Sequence, residues 1–109
     1  PFVEQVRALN DLVVVNWGFP PRCLPFVECL IDAGMEPWWL DGDRDAARSS
    51  FMARGTVSVR ALNKQMAAIE ESREEISRVF AGRIINVVFP GPTYLSPVTI
   101  LDRVLSGVA

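Results

Sequence analysis

Apolar and polar positions fall into blocks along this chain, and the spacing within each block predicts its element. Phe2, Val3, Val6 and Leu9 recur at helical spacing, which predicts a helix over Pro1–Leu9 that Asn10-Asp11 breaks. Leu12–Val15 is a short β-branched run, typical of a strand buried on both faces of a parallel sheet. Gly18-Phe19-Pro20-Pro21 must be irregular, because two prolines follow a glycine. Phe26, Val27, Leu30 and Ile31 then form the apolar stripe of a helix over Leu24–Ala33, with Gly34 placed as its C-terminal cap.

Glu36–Leu40 reads as a second strand, carrying Trp38 and Trp39, with Asp41-Gly42-Asp43 as the turn after it. Asp43 is a suitable N-cap for a helix over Arg44–Arg54 that ends at Gly55. Ser58 can cap a longer helix, from Val59 to about Ala81, whose inward face is Val59, Leu62, Met66, Ile69, Ile76 and Phe80. Gly82 closes it. Ile84–Phe89 is a third strand, nearly all apolar, ended by Pro90-Gly91-Pro92. Ser96 caps a last helix, with Pro97 at the first position, where proline is favoured, and the helix ends near Ser106-Gly107.

Strands separated by helices are normally parallel and joined by right-handed crossovers. The pattern therefore predicts an α/β domain of three layers, α/β/α, with a parallel sheet. At 109 residues the chain makes one domain or part of one. Three strands are fewer than the five or so of a typical doubly wound sheet.

Half of the residues are hydrophobic, enough for a core, and the formal net charge is −2, which argues against a nucleic-acid partner. Histidine is absent, which removes imidazole base chemistry and most zinc sites. Cys23 and Cys29 fit neither a metal motif nor a mutual disulfide across helix turns, so reduced thiols and a cytoplasmic setting are expected. No stretch is long and apolar enough to span a membrane, and no signal-peptide pattern stands at the start.

Ligands of open α/β sheets bind beyond the carboxyl ends of the strands. Three loops are expected there: Asn16–Arg22, Asp41–Asp43 and Pro90–Thr93. Arg22 has the chemistry to grip a phosphate bidentately, and Asn16 to orient a water or a ligand hydroxyl. Arg44 and Arg48 share a face at i,i+4, with Asp41 and Asp45 as local partners, and Arg54 sits at the helix end beside Gly55. Arg44 reads as a solvated residue, Arg48 is evenly balanced, and Arg54 reads as functional. Asp41 and Asp43 are better explained by turn and cap roles than by a metal. The tryptophans read as packing, and Glu70, Glu71, Glu74 and Glu75 as a solvated helix face.

With these residues in place, the chain resembles the C-terminal part of a P-loop kinase of the adenylate kinase and gluconate–shikimate kinase group. Gly18-Phe19-Pro20 matches that group's turn, with Arg22 one residue later than usual because of Pro21. Asp41 and Arg54 stand at the acidic strand end and the closing arginine, and Gly91-Pro92 at the loop that touches the nucleotide base. Trp17 replaces the aspartate that precedes the turn in adenylate kinases. The resemblance implies transfer of the γ-phosphoryl of ATP, with Mg²⁺, to a small-molecule or nucleotide acceptor. Arg22 and Asn16 would hold the acceptor. Arg54 and Arg48 would act on the transferring phosphoryl group, with Arg54, Gly91 and Pro92 on the nucleotide. Gly55–Ser58 would be a short lid, with Arg60 or Arg73 supplying charge near it.

The sequence contains no GxxxxGK[ST] loop. The expectation is a partial domain, inactive and without tight ATP binding by itself, whose parent reading frame extends upstream of Pro1 by about 30 residues or more. Two other readings compete. One is a non-enzymatic α/β module that pairs with a second copy through an exposed sheet edge. The other is the tautomerase superfamily, which uses an N-terminal proline as general base. Its chains run from that proline into a strand, unlike the helical spacing of Phe2–Leu9.

Overall fold

The computed structural model describes residues 4–5, 14, 21–55 and 58–109. The expected strand Leu12–Val15 lies outside them except for Val14, which is exposed rather than buried as a central strand requires. The Gly18-Phe19-Pro20 turn, Trp17 and Pro1 lie outside them too, as does the expected helix Pro1–Leu9 apart from Glu4 and Gln5.

A 3-10 turn, Pro21–Cys23, leads into α1 (Leu24–Asp32). The helix stops because Gly34 takes φ +95°, in the left-handed region open to glycine. Gly34 N then donates to the Ile31 carbonyl at 2.9 Å, and Met35 N donates to that of Leu30 at 3.0 Å. This is the Schellman pattern, which satisfies carbonyls the helix end leaves open.

The next strand, β1, is Trp39–Gly42 rather than Glu36–Leu40. Pro37 has no N–H to give a ladder, and pairing begins where Trp39 N donates to the Arg83 carbonyl at 2.9 Å. Asp41 and Gly42 are therefore strand residues, not a turn. α2 (Arg44–Arg54) has the expected limits: the Asp43 carboxylate accepts from Ala46 N at 3.0 Å, and Gly55 closes the end.

The long helix expected from Val59 to Ala81 is two helices, α3 (Val59–Glu71) and α4 (Arg73–Val79), joined at Ser72. The like-charged pairs Glu70/Glu74 and Glu71/Glu75 straddle that residue at i,i+4 and weaken a continuous helix. Val59, assigned to the inward face, is exposed, whereas Leu62, Ile76 and Phe80 are buried as expected.

Strand β2 is Ile84–Phe89, as its apolar run predicts, and pairs in parallel with β1 from Trp39–Ile84 onward. A short β3 (Thr93–Tyr94), absent from the sequence reading, pairs antiparallel with β2. Only Pro90–Pro92 separate them, too few residues for anything but a reversal. The sheet, in order β1-β2-β3, is thus mixed rather than all parallel. α5 (Pro97–Ser106) follows, capped by Ser96, whose hydroxyl accepts from Thr99 N at 3.2 Å.

Among the described residues the fold is mixed α/β, with five helices and this three-stranded sheet. Its main core joins Leu24 and Val27 of α1 to Ile76, Val79 and Phe80 around α4. Trp39 and Ile84, paired neighbours on one sheet face, pack against it, and the Trp39 and Phe80 rings lie 5.6 Å apart. The tryptophan is a packing residue, as expected. On the outer surface Arg78 donates to Glu28 at 2.7 Å, and that carboxylate keeps the guanidinium protonated to still higher pH than usual.

α5 carries the opposite signature. Val98, Leu101 and Leu105 all point to solvent, as does Val108 just beyond the helix, and none of its residues is buried.

Candidate functional site

The parallel pair β1–β2 fixes where a site would lie. Both strands end at the same edge, where Asp43 N donates to the Val88 carbonyl at 2.8 Å. This brings together two of the three loops expected there. Between them is an open cleft of about 450 Å³. Asp43, Asp45, Ala46 and Ser49 line one side, from the first turns of α2, and Pro90, Gly91 and Pro92 line the other. Gly91 and Pro92, two of the predicted site residues, both line it. The sequence signals Asp45 only as an arginine partner and Ser49 not at all, although their i,i+4 spacing puts them on one face of α2.

No lysine or arginine lines this cleft among the described residues. Its acceptors suit hydroxyl and amino donors, not phosphate oxygens.

The arginines are elsewhere. Arg44 and Arg48 face α3 rather than Asp41 and Asp45. Arg44 donates to the Met66 carbonyl at 3.2 Å and pairs with Glu70 at 3.3 Å, while Arg48 donates to the Asn63 side-chain oxygen. With Asp45, Asn63, Met66 and Ala67 they line a second pocket of about 300 Å³. Arg54 is exposed at the end of α2, with its guanidinium 5.3 Å from the centre of the Phe51 ring. Arg22 is exposed in the turn before α1. Asn16 lies outside the described residues.

The two aspartates at the strand end are both engaged. Asp41 accepts from Arg73 at 2.8 Å and Asp43 caps α2. Arg73, considered for a lid role, is therefore tied to the sheet and sits 4.0 Å from Glu70 as well. No cluster of three or more acidic, cysteine or histidine residues is placed to hold a metal among the described residues. Glu70 and Glu75 are ion-paired, with Arg44 and Arg73 and with Arg78 respectively, so the glutamate run is more than a solvated face.

Two hydroxyls brace the site from outside. Ser50 on α2 hydrogen-bonds Tyr94 on β3, a contact between residues far apart in sequence. Cys23 and Cys29 are free thiols, and no described helix is long and apolar enough to cross a membrane.

Comparison of the chain with known protein families, with curated proteins and with solved structures finds no match in any of the three.

Proposed function

We propose that this chain is the C-terminal part of an ATP-dependent small-molecule or nucleotide kinase, built on a three-layer P-loop-type α/β scaffold. The observation that carries the reading is the cleft at the carboxyl ends of two parallel strands, shared by the Asp43 cap and the Pro90–Pro92 loop. In this reading Gly91 and Pro92 contact the base of ATP, and the acidic wall of the cleft receives the nucleoside. Arg54 and Arg48, further along the helix that rises from the same strand end, act on the phosphates, and Arg22 with Asn16 receives the acceptor. Phosphoryl transfer depends on positioning and charge neutralisation around the donor phosphates. The phosphate loop and the Mg²⁺ it holds would come from another part of the parent protein, so this chain alone does not catalyse transfer.

The chain should bind ATP weakly, with a dissociation constant on the order of millimolar, because base contacts and isolated arginines without a phosphate loop offset little of the cost of association. Calorimetry would read this directly. Arg54→Gln should weaken binding of ATP but not of adenosine. Equal loss for both ligands, or no binding of either, would sink the assignment.

A second reading has an observation in its favour. Among the described residues β1 is an edge strand with Leu40 half exposed, and the α5 stripe has no cover. Such surfaces suit a non-enzymatic module that pairs with a second copy. That reading predicts a dimer by light scattering with no nucleotide affinity; a monomer that binds ATP rejects it.

A further inference from the structure

The pocket between α2 and α3 has an electrostatic oddity. Arg48 is half-buried, and its hydrogen-bond partner is the neutral Asn63 amide. Among the described residues no carboxylate forms an ion pair with it. A guanidinium carries five donors in a fork that matches oxyanions, so a single amide oxygen leaves most of that capacity unused.

Arg44 sits one turn earlier on the same face of α2 and lines the same pocket. Its counter-charge is Glu70 at 3.3 Å, and both side chains are about half exposed. Pairs of that kind are weak and easily exchanged. Glu70 also has a second cation within reach, Arg73 at 4.0 Å. The Asp45 carboxylate lies at the pocket as well. Two guanidiniums against Asp45 and Glu70 leave the region electrically balanced; without Glu70 it carries one net positive charge.

We propose that this pocket is a phosphate-class oxyanion site, with Arg44 and Arg48 as its ligands and Glu70 as a competing internal anion. An arriving oxyanion takes Arg44, and Glu70 moves to Arg73. No bond is made or broken. The role given to Arg48 rests on the phosphotransferase reading, but the site's existence can be tested without nucleotide.

The test is titration of the 109-residue chain with inorganic phosphate, followed through the Arg48 and Asn63 side-chain resonances. Glu70→Gln should bind phosphate several-fold more tightly than the unaltered chain. Arg48→Gln should abolish binding, while Arg48→Lys keeps part of it by retaining the charge. Arg103→Gln, on α5 and outside the pocket, should leave binding unchanged. Unaltered affinity in Glu70→Gln would overturn the proposal. So would an equal loss in Arg103→Gln and Arg48→Gln, which would mean general attraction to positive charge. Phosphate binding can fail here while nucleotide binds the strand-end cleft, and the reverse, so the two proposals fail separately.

Discussion

Phe80→Ala should destabilise the fold by about 3–5 kcal/mol, the range for truncating a buried aromatic. Phe80 is 1% exposed and touches both halves of the main core, with α1 on one side and Trp39 of β1 on the other. Truncation removes the ring's apolar area from the core and leaves a cavity that helix and strand backbone cannot close. A domain of this size is held by roughly 5–15 kcal/mol in total, so the loss is a large share. Urea unfolding followed by tryptophan fluorescence measures it. Phe80→Leu should cost clearly less, because it keeps most of the volume. Val98→Ala, at an exposed position on α5, should change stability by no more than about 0.5 kcal/mol. A mild effect of Phe80→Ala would mean that α1 and α4 are not packed on the sheet through this residue.

Gly42→Ala should cost about 1–3 kcal/mol, the usual range for forcing extra atoms into a packed site. A Cβ built on Gly42 would lie 2.7 Å from Val88 Cβ, 3.0 Å from the Val88 carbonyl oxygen and 3.2 Å from its Cα. Two of those three atoms are backbone, so no rotamer change relieves the contact. Val88→Ala keeps the Cβ and should not rescue the variant. The strands must separate locally, at the point where the register between β1 and β2 already shifts. The next residue is Asp43, which bonds the Val88 carbonyl and caps α2. The change should therefore loosen the strand-end cleft as well as the fold. Amide exchange at Asp43 and Ala46 would report it. Unchanged exchange together with full stability would show that the close approach at Gly42 is not a feature of the folded chain.

Signals that act on neighbouring backbone are legible in the sequence, and those that depend on distant partners are not. The limits of α2 follow from a capping aspartate and a terminal glycine, and α5 from Ser96-Pro97 and Gly107, because these residues act on the backbone next to them. The all-apolar run of β2 needed no context either. The position of β1 did, because a four-residue strand next to Pro37 is set by its pairing with β2 rather than by its own side chains. β3 is two exposed residues and carries no pattern. The break at Ser72 depends on charges a turn apart that also suit a continuous solvated helix.

The candidate site shows the same division. The strand-end loops were legible because topology alone sends parallel strands to one edge. The arginines were legible as candidates, but their partners were not. Asn63, Met66 and Glu70 lie on another helix, 15 to 26 residues along the chain from Arg48 and Arg44, and only the packing of α3 on α2 brings them into reach. The engagement of Asp41 by Arg73, 32 residues further along the chain, is of the same kind.

Where adenosine binds decides whether the strand-end cleft is a nucleoside site. A titration of the chain with adenosine, read residue by residue through its amide resonances, separates the strand-end cleft from every other surface. Shifts should be confined to Asp43–Ser49 and Gly91–Thr93, with the Arg48 and Asn63 side chains unmoved because the nucleoside carries no phosphate. Shifts centred on the α5 stripe, or none in either loop at millimolar ligand, would contradict it.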